Sequence, residues 1–168
     1  NAASRVYVSG DSAVGIKVDS VSGDSISTTD ISVGSISVSG MGASGVALAT
    51  EASGAIAEIG VTAGAVSASG DRASGLSVQA ISEESIAAAA IAVGSVYSSG
   101  AQSQGAGIFA HAGDDVGLLA ATVGGGVASR GDSSVGIGLT AISQGAAAGT
   151  LLSVASDVES AGRRSVGV

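Results

Sequence analysis

The chain contains no cysteine, proline or tryptophan, and its 168 residues include only two tyrosines and one phenylalanine. The lack of cysteine excludes a disulfide frame and any thiolate metal site. The lack of proline leaves nearly every backbone N–H free to join a hydrogen-bonded ladder. Because aromatic side chains are so few, the core must consist of alanine, valine, isoleucine and leucine, which suits thin stacked layers better than a bulky globular centre.

Positive charge is scarce as well, since six lysines and arginines stand against 14 aspartates and glutamates, for a net charge of −8. This balance argues against nucleic acid and anionic membranes as partners. No apolar run approaches the ~20 residues that a membrane-spanning helix requires. The chain starts at Asn1 without a methionine or a signal segment, and we expect it to be a portion of a longer protein.

Glycine is abundant, and its 28 copies recur with a nearly fixed period. The step is constant from Gly10 through Gly40 and Gly70 to Gly100, and it is longer by a single residue from there to Gly131. A period of this length is typical of a solenoid. The glycines predicted to lie in the repeated turns are Gly10, Gly15, Gly40, Gly45, Gly70, Gly75, Gly100, Gly105, Gly131 and Gly136, and the two series end at Gly162 and Gly167. A third series consists of Gly34, Gly64, Gly94 and Gly124.

Apolar residues recur in phase with the glycines. One series is Val6, Ile36, Val66, Val96, Val127 and Val158, and another is Ile16, Val46, Leu76, Ala106 and Ile137. We therefore divide the chain, as one solenoid segment, into repeat units at about residues 6–35, 36–65, 66–95, 96–126 and 127–157, with a partial unit at 158–168.

Within one unit the hydrophobic period is two, which indicates β-strands. In “ISVS” Ile36 and Val38 face inward, and in “VALAT” Val46 and Leu48 do the same. The inward-facing residues change from even-numbered to odd-numbered positions between Ile26 and Ile31, and they change back between Val33 and Ile36. We therefore expect a corner or bulge at each place. Three short strands joined by corners would make one coil, and the coils would stack in parallel about 4.8 Å apart.

The sequence thus predicts an all-β fold, a single-stranded parallel β-helix of about 30 residues per coil with five to six coils. The crossover rule for parallel strands favours a right-handed coil. Each residue would stack on its copy in the next coil, which favours small and β-branched side chains. We expect Ser9, Ser39, Ser69, Ser99 and Ser129 to form a ladder on the outer surface. We also expect strand edges at both ends of the stack, from Asn1 and at the final “SAGRRSVGV”, where further coils could pair.

Four stretches carry a family resemblance: “VSGDSAVGIKVDSVSGD”, “ISVSGMGASGVALAT”, “VSASGDRASGLSVQAIS” and “SRGDSSVGIGLTAIS”. Their shared pattern, roughly V-x-S-G-D-x-A-x-G-I-x-V, resembles the passenger region of bacterial autotransporters, the surface-exposed β-helical part of type V secretion proteins. The resemblance covers essentially the whole chain. It implies an extracellular location on a bacterial cell surface. The C-terminal β-barrel and the signal sequence of that family do not occur in these 168 residues.

Three features could carry chemistry. Arg130, Gly131 and Asp132 spell an integrin-binding tripeptide, but other units have Ser-Gly-Asp at this turn, so we expect an ordinary turn. Acidic residues near one corner offer oxygen ligands that could share Ca²⁺ between coils. These residues are Asp24, Glu83, Glu84, Asp114 and Asp115, with Glu84, Asp114 and Asp115 the metal candidates. Acidic corners are ordinary at this net charge, and we expect no cofactor.

His111 is the only histidine, which excludes a multi-histidine metal site. Alternation places Phe109 and His111 on the outside, where they would form a contact patch, with Tyr97 and Tyr7 as further exposed aromatics. The units lack long insertions that could wall a pocket, so we expect no enzyme. Threonines do not recur at one repeat position, which argues against an ice-binding face.

The favoured function is a structural and adhesive segment of a secreted bacterial surface fibre, which acts through its outer side-chain ladders. Its expected partners are other copies of itself, end to end or side by side, and a host or neighbouring-cell surface. The alternative is a β-helix that binds or acts on polysaccharide.

Overall fold

The computed structural model describes residues 4–168, apart from the side chain of Ala148. Asn1, the expected start of the first coil, lies outside the described residues. The chain is a β-solenoid of about five turns, so the fold class predicted from the sequence is confirmed. The described residues contain no α-helix, and none of their elements is a helix long and apolar enough to cross a membrane.

Thirteen strands follow one another along the described part of the chain. They are β1 (Arg5–Ser9), β2 (Val14–Ser22), β3 (Ile26–Ser39), β4 (Ser44–Ala52), β5 (Ile56–Ser69), β6 (Ser74–Ser82), β7 (Ile86–Ser99), β8 (Gln104–Ala112), β9 (Val116–Val123), β10 (Val127–Arg130), β11 (Val135–Ser143), β12 (Ala147–Val154) and β13 (Val158–Ala161). Every pairing between them is parallel and joins equivalent residues of successive coils.

The strands form two sheets. One has the order β1-β3-β5-β7-β10-β13, with β9 pairing β7 and β12 pairing β9 beside that path. The other has the order β2-β4-β6-β8-β11. The apolar series predicted from the sequence are confirmed by the register, since Val66 pairs with Ile36 and Val96, and Leu76 pairs with Val46 and Ala106.

The core lies between the two sheets and runs the length of the solenoid. It is built from alternate strand residues, such as Ile36, Leu48, Leu76 and Ile91, each at most 1% exposed. These side chains are aliphatic and small enough to stack on their copies without clash, which is the reason that a core with almost no aromatic residues can close. The inward positions predicted for Ile36, Val38, Val46 and Leu48 are confirmed, since each is at most 1% exposed.

Each long strand contains the two parity changes that the sequence predicts. In β5 two consecutive residues, Ala57 and Glu58, face outward between buried Ile56 and Ile59, and residues 64–65 do the same nearer its end. The sequence predicts three strands per coil, but the first coils contain two. One strand has nine residues, and the other has 14 residues and bends twice. In the fourth coil the long strand divides into β9 and β10.

The division follows from one extra residue at the corner. Val93 pairs with Val123, but Val96 pairs with Val127, a step that is longer by a single residue, so residues 124–126 contain the insertion. This corrects the predicted serine ladder. Ser9, Ser39, Ser69 and Ser99 do lie in one column, but Arg130 pairs with Ser99, and Ser129 pairs with Ser98 and is fully buried.

Candidate functional site

The turn that follows β1 and its copies forms a ridge along the solenoid. Its first glycine has a positive φ in every coil, from 109° to 133°, which explains why this series admits no other residue. Two residues later the backbone is again left-handed, at Ser12, Arg72, Gln102, Ser133 and Arg164, with Gly42 in the second coil. The predicted turn glycines Gly10, Gly40, Gly70, Gly100 and Gly131 thus have a common backbone role.

Aspartates occupy this ridge in every second coil. The Oδ1 atom of Asp11 accepts a hydrogen bond from the N–H of Met41 at 2.9 Å, and Asp71 accepts one from Ala101 at 2.8 Å. Asp132 does the same with Arg163 at 3.0 Å. Each carboxylate therefore links its coil to the next one, and alternation avoids stacking one aspartate directly on another.

The Arg130-Gly131-Asp132 tripeptide lies on this ridge and is held by the next coil. Both carboxylate oxygens of Glu159 accept hydrogen bonds from Nη2 of Arg130 at 2.9 Å. This hydrogen bond and the charge of Glu159 raise the pKa of Arg130. Because Asp132 is also engaged, both charged ends of the tripeptide have partners within the chain, unlike an adhesive loop that projects freely into solvent.

The acidic residues named as candidate calcium ligands lie in the turns between the two sheets. Glu84 and Asp114 are neighbours in successive coils, where the N–H of Asp114 donates to the carbonyl of Glu84 at 3.0 Å. Asp115 is engaged elsewhere, because its Oδ1 accepts a hydrogen bond from the N–H of Ala146 at 2.7 Å. Within residues 4–168 no three acidic or histidine side chains converge into a group that could hold a metal ion. Asp24 lies in the corresponding turn of the first coil, and Glu83 directly precedes Glu84.

Phe109 and His111 both face outward from β8, as the alternation predicts, and Phe109 is 36% exposed. Tyr97 and Tyr7 are exposed too, but they share a column on the other sheet, separated by two coils with Ser37 and Ser67. The exposed aromatics therefore do not form one patch. His111 lies between Ile81 and Ile142 in its own column.

A shallow cleft of about 230 Å³ lies beside Phe109 on this outer face. Gly107 and Gly138, which pair with each other in successive coils, provide a floor without side chains. The side-chain amide of Gln104 lies across both glycines, with its nitrogen 3.1 Å from the position of a Cβ on Gly138. Ser77 and Thr140 complete the rim. Sequence reasoning found Phe109 but not this cleft.

The outer surface of β7, β9 and β12 is uncharged and mostly apolar, and we call it the alanine face. Its apolar outward side chains are Ala88, Ala90, Ala92, Leu118, Ala120 and Leu151, and the uncharged polar Thr122 and Ser153 continue the column of Ala92. Leu118 is 41% exposed and Leu151 is 54% exposed. Equivalent positions in the first two coils carry charge instead, at Asp30 and Glu58. The sequence shows this face as “IAAAAIA”, in which only one of the four consecutive alanines, Ala89, is buried and the other three are not.

No protein-family model, no curated protein and no solved structure matches this chain.

Proposed function

We propose that this chain is a structural and adhesive segment of a secreted fibre on a bacterial surface, and that it is not an enzyme. The observation that carries the proposal is the register: outward side chains lie in continuous columns, one per coil, on surfaces stiffened by uninterrupted parallel ladders. Such a rod presents many weak contacts at fixed spacing, which add along its length. The resemblance of its repeats to autotransporter passengers supports the extracellular location.

The alanine face is the surface best suited to contact between two copies. A chain of net charge −8 repels its own copies, and the outward columns of this face carry no charged residue in the third to fifth coils. Small side chains also allow two flat sheets to approach closely, at about 10 Å. The acidic Asp30 and Glu58 at the other end favour an arrangement in which only the apolar halves overlap.

The size of this face decides how strong one such contact is. Three coils about 4.8 Å apart and five residues of about 3.3 Å cover roughly 240 Å² on each copy. Stable interfaces bury about 800 Å² per partner, so a single pair of copies is held weakly. Adhesion through this face therefore requires many copies displayed together, as on a fibre or a cell surface.

Beads coated densely with the chain are expected to cluster, and Ala120→Glu is expected to return clustering to the level of uncoated beads. The new carboxylate lies between Ala90 and Leu151, at the centre of the alanine face. Clustering is measured by light scattering, with circular dichroism to verify that the variant folds.

The matched control is Ala47→Glu, which makes the same change of charge at an outward position of the other sheet, next to Lys17. Beads that carry this variant should cluster like the parent. Equal clustering by both variants, or no clustering by the parent, would contradict the proposal.

We propose contact through the outer faces as the main mode of self-association, because these faces extend along the stacked strands of both sheets.

The proposed location has a separate test. Antibodies raised against the purified chain should label intact cells of the source organism. Labelling that requires permeabilised cells would contradict a surface role.

A further inference from the structure

The outer face of the second sheet changes character along the solenoid. In its first two coils the outward residues include the ion pair of Lys17 with Asp19 and the exposed Glu51. In the third to fifth coils no outward residue carries a formal charge. Those residues are Ser77, Gln79, Ile81, Gly107, Phe109, His111, Gly138, Thr140 and Ile142. The cleft beside Phe109 lies within this uncharged half.

Two departures from the repeat create the cleft. The column that contains Lys17, Ala47 and Ser77 continues as Gly107 and Gly138, which removes two successive side chains from the surface. The column of Ser44 and Ser74 continues with the longer Gln104, whose amide lies over those glycines. Both changes occur where Phe109 replaces the smaller residues of its column, so an aromatic ring lies beside a planar amide that rests on two glycines.

We propose that this cleft binds one ring of a neutral saccharide. Phe109 offers an apolar surface to the C–H groups of a sugar ring, while the Gln104 amide and the hydroxyls of Ser77 and Thr140 can donate to and accept from its hydroxyl groups. A mixed apolar and hydroxylated ligand without charge matches this mixed, uncharged surface. The inference is independent of self-association through the alanine face, which lies on the other sheet.

The dimensions restrict the ligand further. A volume of about 230 Å³ is below the range of roughly 300–1,000 Å³ for drug-sized ligands, so the cleft holds one ring and not an enclosed oligosaccharide. Being shallow, it leaves the rest of a glycan chain outside, free to reach the cleft of another copy. The expected affinity for one ring is weak, in the millimolar range.

The test is a nuclear magnetic resonance titration of the ¹⁵N-labelled chain with the methyl glycosides of glucose, galactose, mannose and N-acetylglucosamine. We expect at least one glycoside to shift the amide signals of Gly107, Phe109 and Gly138 with millimolar saturation. Phe109→Ala should weaken binding at least about fivefold. Gly138→Ala should also weaken binding, because its methyl group takes up space in the cleft. The fold should be kept, because the flexible end of the Gln104 side chain can move aside.

His111→Ala is the matched control, since His111 faces outward on the same strand but does not line the cleft. Its affinity should equal that of the parent, and all three variants should keep the parent's bead clustering. The inference is overturned if no glycoside shifts these signals, if glycerol shifts them equally, or if Phe109→Ala and Gly138→Ala bind like the parent.

Discussion

Leu76→Asp is expected to destabilise the solenoid by at least about 4 kcal/mol. Leu76 is fully buried in the third coil, stacked between Val46 and Ala106 of the neighbouring coils. A carboxylate there has no partner and sits in the middle of a column that runs through the whole core. In a solenoid each coil is stabilised mainly by its two neighbours, so a defect in a central coil weakens both halves. Thermal unfolding followed by circular dichroism should show a midpoint lower by about 8–16 °C.

Ser77→Asp, one residue further along β6, is the matched control. Ser77 faces outward between Ala47 and Gly107, both small, so its carboxylate can reach water. The cost should stay under about 1 kcal/mol. If Ser77→Asp proved the more harmful change, the assignment of inward and outward positions in this sheet would be wrong.

Much of the fold is readable from the sequence because stacking forces equivalent residues into equivalent environments. The recurrence of Leu76 with Val46, and of Val66 with Ile36, directly reports parallel pairing between coils. The change of parity in β5 reports the corners, since two successive outward residues cannot occur in a straight strand. No propensity scale is needed for either inference.

The sequence is less informative where the repeat changes length. The step from Gly94 to Gly124 is the ordinary one, but the step from Val96 to Val127 is longer by one residue, so the sequence confines the extra residue to positions 124–127 without showing its effect on the following strand. The structure places it at residues 124–126, which moves Ser129 inside. There its hydroxyl lies 2.8 Å from that of Ser134, and Ser98 and Ser103 form the same buried pair one coil earlier. Alternation read without the insertion assigns such a serine to the wrong side.

The candidate site shows a similar limit. The outward position of Phe109 follows from alternation, but the cleft beside it depends on residues from two coils and on the direction in which the Gln104 side chain lies. Periodicity describes what successive coils share, whereas a binding site arises where they differ. The replacement of Lys17, Ala47 and Ser77 by two glycines in the same column is a signal that only the register makes visible.

A second large effect is expected at the glycines that stand second in each strand of this sheet, a series that the sequence predicts in turns but that lies within strands. Gly75 is buried and has no positive φ, so its backbone does not require glycine. Its requirement is space, because a Cβ would overlap both the Cγ1 atom of Val66 and the carbonyl oxygen of Gly105 in the next coil. The same contact with the following glycine recurs at Gly15, Gly45, Gly105 and Gly136. This explains a glycine series that turn geometry does not explain.

Gly75→Ala should therefore cost about 3 kcal/mol, because the backbone carbonyl of Gly105 cannot turn aside and the coils must separate locally. Gly23→Ala is the opposite case, since Gly23 lies in an exposed turn, has no positive φ and has nothing within 4 Å of a new Cβ. That change should be neutral or stabilising by up to about 1 kcal/mol, because alanine reduces the freedom of the unfolded chain. The thermal midpoint of Gly75→Ala should lie about 6–12 °C below that of Gly23→Ala. Equal midpoints would show that the coils can separate at Gly75 without loss, and that close stacking is not what preserves this glycine series.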